Sequence, residues 1–148
     1  GGYYRSREKE QTMLQTETYQ MKEVCEEVGL TYETLKYYCN EGLVPNHTRD
    51  KNNYRIFDRN DINWIKGLTK LRECGMSIKE MKKYMNLCYE GESSIQERKA
   101  MLENTRKNLE EEITRINESL QYIEEKQAYY DQVLAGEIEL TSSLLKME

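Results

Sequence analysis

The stretch TYETLKYYCNEGLVP, residues 31–45, sets three tyrosines and a lysine on one short segment and closes it with glycine and proline. Thr34, Lys36, Tyr37 and Tyr38 present hydroxyl and ammonium donors on more than one face, and Leu35 supplies an apolar anchor. Such groups suit base edges and phosphates better than bond-making chemistry. A second cluster follows, in which Arg49, Lys51, Asn52, Asn53, Tyr54 and Arg55 mix cations with an aromatic ring and suit contact with a phosphate backbone.

Reactive groups elsewhere are sparse. His47, the one histidine, reads as a solvated or phosphate-near residue beside the second cluster. Four cysteines, at 25, 39, 74 and 88, show no CxxC spacing, and a reducing compartment keeps such thiols free. Cys25 lies on an apolar helical stripe and reads as a small hydrophobe. Cys74 and Cys88 fall near the ends of two predicted helices, where modification would shift a joint, so these two are the candidate thiol sensors. No metal site and no cofactor are expected. With one histidine, no nucleophile–base pair and no phosphate-binding glycine loop, the chain does not read as an enzyme.

The elements that position the donors are legible from apolar period and caps. Met21, Val24, Cys25 and Val28 recur at helical spacing and stop at Gly29. Thr31 caps a second helix that ends by Gly42, so two short helices flank a tight turn. The stretch from Leu43 to Asp58 has a polar centre between apolar flanks and predicts a two-stranded wing. Asp58 caps a third helix carrying Ile62, Trp64, Ile65, Leu68 and Leu71. Ser77, with Glu80 three residues on, predicts a capping box and a fourth helix through Cys88. Trp64 is assigned to the core.

Beyond YEGESS the pattern changes. From Ser94 to Leu134 there is no glycine or proline, and Ile95, Leu102, Leu109, Ile116, Ile123 and Tyr130 recur every seven residues. Ile113, Leu120, Gln127 and Leu134 complete an a/d seam, with Lys99 and Arg106 polar at the earlier positions. A helix of about 40 residues reaches about 60 Å, and a bare seam of that length predicts pairing with a second copy. The seam itself does not choose between parallel and antiparallel. The dimerisation residues are Leu102, Leu109, Ile113, Ile116, Leu120, Ile123 and Tyr130. Leu140, Leu144 and Leu145 predict a short amphipathic piece after the helix.

Charge sharpens the division. The chain of 148 residues carries a net charge of −5. Residues 19–87 nevertheless hold twelve basic against ten acidic side chains, while residues 88–148 hold seven against fourteen. The middle segment is therefore the one whose sign favours DNA. No apolar run is long enough to span a membrane, and the polar start has no signal-peptide core, so a cytoplasmic protein is expected.

The fold class is mainly α, a winged helix-turn-helix followed by a long dimerisation helix. The expected divisions are a disordered extension at 1–18, a DNA-binding domain at 19–92, a coiled-coil helix at 93–135 and a tail at 136–148. YQMKEVCEEVGLTYETLKYYCNEGLVP, NYRIFDRNDINWIKGLTKLRECGMSIKEMKKYM and the helix after them resemble the MerR family of bacterial transcription regulators. The resemblance covers residues 19 to about 134 and fits small members without a ligand-binding domain.

It implies an antiparallel coiled-coil homodimer on an inverted repeat of double-stranded promoter DNA. It further implies distortion of that DNA so that RNA polymerase can start at the shared promoter, under an inducer the residues do not identify. By motif position, Lys36, Tyr37 and Tyr38 would serve the recognition helix with Thr34 near them, and Tyr54 and Arg55 would grip backbone from the wing. Departures are Glu33 where a basic residue is common, Lys36 where arginine is usual, Cys39 where an acidic residue often stands, and Asn53 where glycine usually begins the wing strand. Lys70 stands where related stress regulators carry a cysteine. A constitutive DNA-bending protein of excisionase type, a thiol- or aldehyde-responsive regulator and a coiled-coil adaptor without DNA binding are the alternatives.

Overall fold

The computed structural model describes residues 17–145. The arm expected at 1–18 lies, but for Glu17 and Thr18, outside the described residues. The chain divides into two compact units between Thr105 and Arg106.

The first unit begins with strand β1 (Tyr19–Gln20), helix α1 (Met21–Val28) and helix α2 (Tyr32–Asn40). Met21 and Val24 turn inward from α1, and the Glu23 carboxylate accepts the Gln20 amide at 3.2 Å, holding the first turn. Gly29 sits at φ 82°, a left-handed conformation that lets its own amide and that of Leu30 both return to the Cys25 carbonyl. Three residues thus separate the two helices, and Thr31 starts α2 by accepting the Thr34 amide at 3.2 Å.

After α2 the chain forms β2 (Thr48–Arg49) and β3 (Arg55–Phe57), then α3 (Arg59–Glu73) and α4 (Ile78–Tyr89). The sheet has three antiparallel strands in the order β1-β3-β2, with Tyr19 opposite Phe57 and Thr48 opposite Ile56. The two-stranded wing expected from sequence is thus extended by β1, a strand of only two residues. Leu43 and Val44, expected as a wing flank, are fully buried residues of the turn after α2.

Helix α3 is held at its start by a reciprocal pair: Asp58 accepts the Asp61 amide at 2.8 Å, and Asp61 accepts the Asp58 amide at 2.9 Å. Helix α4 has the first half of the expected capping box, Ser77 accepting the Glu80 amide at 3.1 Å. The return bond from the Glu80 carboxylate is absent among the described residues. Leu35, Phe57, Ile62, Ile65, Leu68 and Met81 fill the core, each contributing about 1.5–3 kcal/mol by leaving water. Trp64 packs against them, its indole N–H donating to the Leu43 carbonyl at 2.7 Å.

A 3₁₀ turn (Gly91–Ser94) leads into α5 (Ile95–Leu134), a single helix of 40 residues. Within the first unit Arg98 pins the entry, donating to the Gly91 carbonyl at 2.6 Å and to Ser94 Oγ at 3.1 Å. In the second unit Ile113, Ile116, Leu120, Ile123 and Tyr130 are 46–58% exposed. Gly136 turns the chain at φ 76°, and Tyr129 Oη accepts the Thr141 amide at 2.7 Å. From Gly136 to Leu145 the chain is turn and coil, with Tyr129 Oη and Ser142 Oγ accepting the amides of Thr141 and Leu144. No helix among the described residues is long and apolar enough to cross a membrane.

Candidate nucleic-acid interface

Helix α2 buries Leu35, Tyr38 and Cys39, a spacing of three and four residues that leaves Glu33, Lys36, Tyr37 and Asn40 on the opposite face. Tyr37 is 48% exposed and Lys36 is exposed. Tyr38 is 3% exposed, which corrects its assignment to the recognition surface. Its ring completes the core, and burial raises its phenol above the ordinary range. Thr34 is half-buried and engaged by the cap hydroxyl of Thr31 at 2.9 Å, so it shapes the helix start.

The wing is organised by Asp50. Its carboxylate accepts the amides of Asn52 at 2.9 Å and Tyr54 at 3.0 Å, while Asn53 adopts φ 67° at the turn. Asparagine tolerates this left-handed conformation at modest cost, which is why the position usually held by glycine accepts it. Arg49 lies directly opposite Arg55 across the two strands, and its guanidinium also donates to the Asn53 carbonyl at 2.9 Å. Two like charges in register repel one another, and an anion between them relieves that repulsion.

Arg49, Asn53, Tyr54 and Arg55 meet Lys22 and Tyr32 around one groove of the first unit. Lys22, Lys36, Arg49, Lys51 and Arg55 have no ion-pair partner among the described residues. Three cations of this unit are spent internally on two carboxylates: Glu27 takes Arg59 at 2.5 Å and Lys66 at 3.0 Å, which pulls its carboxyl below the ordinary range, and Glu41 takes Lys82 at 2.6 Å. Five cations without an ion-pair partner among the described residues thus lie on α2, the wing and the start of α1.

Lys22 and Tyr32 escaped the sequence reading. Tyr32 is 56% exposed and occupies the first position after the cap, and the first turn of a recognition helix is where base contacts concentrate. Lys22 lies one residue into α1, and only the return of β1 alongside β3 brings it to the wing. His47, expected to be solvated or near phosphate, is half-buried instead. Its ring stacks on Phe57 with centroids 5.6 Å apart, and Nδ1 lies 2.5 Å from the Val44 carbonyl.

The thiols divide by surroundings. Cys39 is buried, and desolvation pushes it up to about 11 even though Arg55 and Arg49 pull the other way. Cys25, partly buried, is raised by burial as well. Cys74 is exposed at the end of α3. Cys88 is half-buried beside Arg98, whose Nη1 is 3.8 Å from Sγ, and lines a groove of about 420 Å³ with Trp64, Met85 and Tyr89. Among the described residues no group of histidine, cysteine and carboxylate side chains could hold a metal ion.

Residues 19–88 match the sequence profile of the MerR HTH family regulatory proteins. An uncharacterized HTH-type transcriptional regulator of Haemophilus influenzae is 34% identical over 118 residues, covering 80% of this chain and 87% of that one. The HTH-type transcriptional regulator AdhR of Bacillus subtilis is 36% identical over 87 residues, 59% of this chain and 62% of its own. Among solved structures, HiNmlR, a MerR family regulator lacking the sensor domain and crystallised bound to promoter DNA, superposes with a TM-score of 0.68 at 34% identity. That match covers 80% of this chain and 90% of HiNmlR.

Proposed function

The chain belongs to the MerR family of helix-turn-helix transcriptional regulators, and on that premise we propose that it binds an inverted-repeat promoter site as a homodimer and controls transcription by distorting the DNA. Residues 19–92 form the DNA-binding part, with α2 entering the major groove and the β2–β3 wing gripping the flanking backbone. Residues 93–135 pair antiparallel with a second copy, and Leu102, Leu109, Ile113, Ile116, Leu120, Ile123 and Tyr130 make the seam. RNA polymerase is engaged through the shared promoter. The duplex is bent at a cost of order 1–6 kcal/mol, which a dimer holding both half-sites can meet from its phosphate contacts.

The observation that carries this reading is the groove where Lys22, Arg49 and Arg55, none with an ion-pair partner among the described residues, meet exposed Tyr32 and Tyr54, with exposed Lys36 and Tyr37 on the same helix as Tyr32. Lys36, Tyr37 and Tyr32 read the groove; Arg49, Lys51 and Tyr54 hold phosphates. The HiNmlR complex supports it as a relative that binds promoter DNA without a sensor domain.

The test is selection of bound duplexes from a random pool, followed by a salt series on the selected sequence. A palindromic site bound by two copies, with log affinity falling by about 0.9 per phosphate neutralised for each unit of log salt, is the expected result. Absence of an enriched sequence, or enrichment that survives Arg49→Ala with Lys51→Ala, overturns it.

A further inference from the structure

Asn40 is the last residue of α2 and Arg55 the first of β3. Arg55 Nη2 donates to Asn40 Oδ1 at 2.6 Å, a contact fifteen residues apart in sequence. Among the described residues it is the side-chain hydrogen bond that joins α2 to the wing strands. A guanidinium donor makes such a bond shorter and stronger than a neutral pair does.

The root of the guanidinium is enclosed while Arg55 as a whole is half-buried. Its Nε is buried with no hydrogen-bond partner. Cys39, the neighbour of Asn40, offers no strong acceptor, since it is buried and holds its proton up to a pKa of about 11. Across the strand pair Arg49 presents a second guanidinium, whose charge pushes Arg55 away from the hairpin and toward α2. A buried donor without an acceptor calls for a reason, and the bond to Asn40 is the side-chain contact that holds this guanidinium against α2.

We propose that Arg55 is a positioning residue rather than a phosphate clamp: with Asn40 it latches the wing to the end of the recognition helix and sets the spacing between base-facing Tyr37 and phosphate-facing Arg49 and Lys51. This rests on the reading of this face as the DNA interface. Asn40, which the sequence did not single out, thereby governs affinity without contributing charge.

The experiment is a double-mutant cycle of Asn40→Ala, Arg55→Ala and the double variant, read as duplex affinity across a salt series. Asn40→Ala loses about tenfold at every salt concentration, the loss typical of a hydrogen bond to a charged group, and keeps the wild-type salt slope. In the double variant, removing Asn40 as well costs less than about twofold beyond Arg55→Ala alone, because the two changes break one bond. Additive losses, or an unchanged affinity in Asn40→Ala, overturn the latch, as does a slope reduced by about one per phosphate contact in Arg55→Ala with Asn40→Ala silent.

A second readout needs no DNA. Hydrogen exchange of residues 48–57 in the free protein quickens in Asn40→Ala while α3 and α4 stay protected. Unchanged wing exchange overturns the latch even where no duplex binds, and failure of the wild type to bind with quickened exchange in Asn40→Ala overturns the DNA reading alone.

Discussion

The two units of the chain treat their apolar residues in opposite ways. In the first, Val24, Leu35, Leu43, Ile62 and Ile65 have no accessible surface at all, and four short helices and a small sheet cover one another. In the second, five apolar side chains of one stripe stay about half exposed along the helix. The first unit satisfies its hydrophobic demand within one chain and spends its polar groups outward. The second leaves the demand open, and a seam of this period is what the proposed pairing with another copy would cover.

The largest effect that tests this contrast comes from charging the open stripe. Leu120→Lys with Ile123→Lys places four ammonium groups in the centre of a two-copy seam. The loss of buried apolar area together with the desolvation of charge weakens association by about 4 kcal/mol or more, roughly a thousandfold. Sedimentation equilibrium should show monomers, with the far-ultraviolet spectrum of the first unit retained. Persistence of a dimer would mean that the stripe is not its interface.

Next in size is the closed core. Leu35→Ala removes a fully buried side chain from the inner face of α2, costing about 3 kcal/mol of stability. Denaturant unfolding followed by Trp64 fluorescence measures it, since the indole packs on that core. The same truncation at Ile113, 58% exposed, should leave the unfolding of the first unit where it was. Equal losses at both positions would erase the distinction between the units.

Much of the first unit is legible in sequence because its signals are local. Thr31, Asp58 and Ser77 each cap the helix expected of them, and Gly29, Gly42 and Gly75 each mark an end through a positive φ. The seven-residue period likewise predicts α5 to its last turn. What escaped depends on distant partners. A two-residue strand such as β1 has too few side chains to show a period and exists only because β3 is there to pair with it. Tyr37 and Tyr38 are chemically identical neighbours, and only the packing of α2 on the core decides which faces water. Tyr32 was passed over for the same reason. The Asn40–Arg55 bond spans a turn and a hairpin, a distance over which no spacing rule operates.

That pair of tyrosines gives the third test. Tyr37→Ala should weaken binding to the selected duplex by about 1.5 kcal/mol, near tenfold, with the dimer intact. Tyr38→Phe keeps the ring in the core and should leave affinity within about twofold. The ranking matters more than either value: a greater loss from Tyr38→Phe would restore to the interface a side chain that the fold holds inside, and would require α2 to rotate on binding.

The smallest effect lies at the wing turn. Asn53 occupies a left-handed conformation that glycine adopts freely and alanine resists, so Asn53→Ala should cost about 1 kcal/mol and Asn53→Gly less than about 0.5 kcal/mol. Thermal unfolding resolves the two. The glycine variant should also bind duplex as the wild type does, because the Asp50 carboxylate, which accepts the amides of Asn52 and Tyr54, shapes the hairpin without the Asn53 side chain. A marked loss of affinity in Asn53→Gly with stability unchanged would assign the amide a contact of its own. The exchange of glycine for asparagine would then be a change in what the wing touches, where the backbone geometry makes it only a different way of turning the same corner.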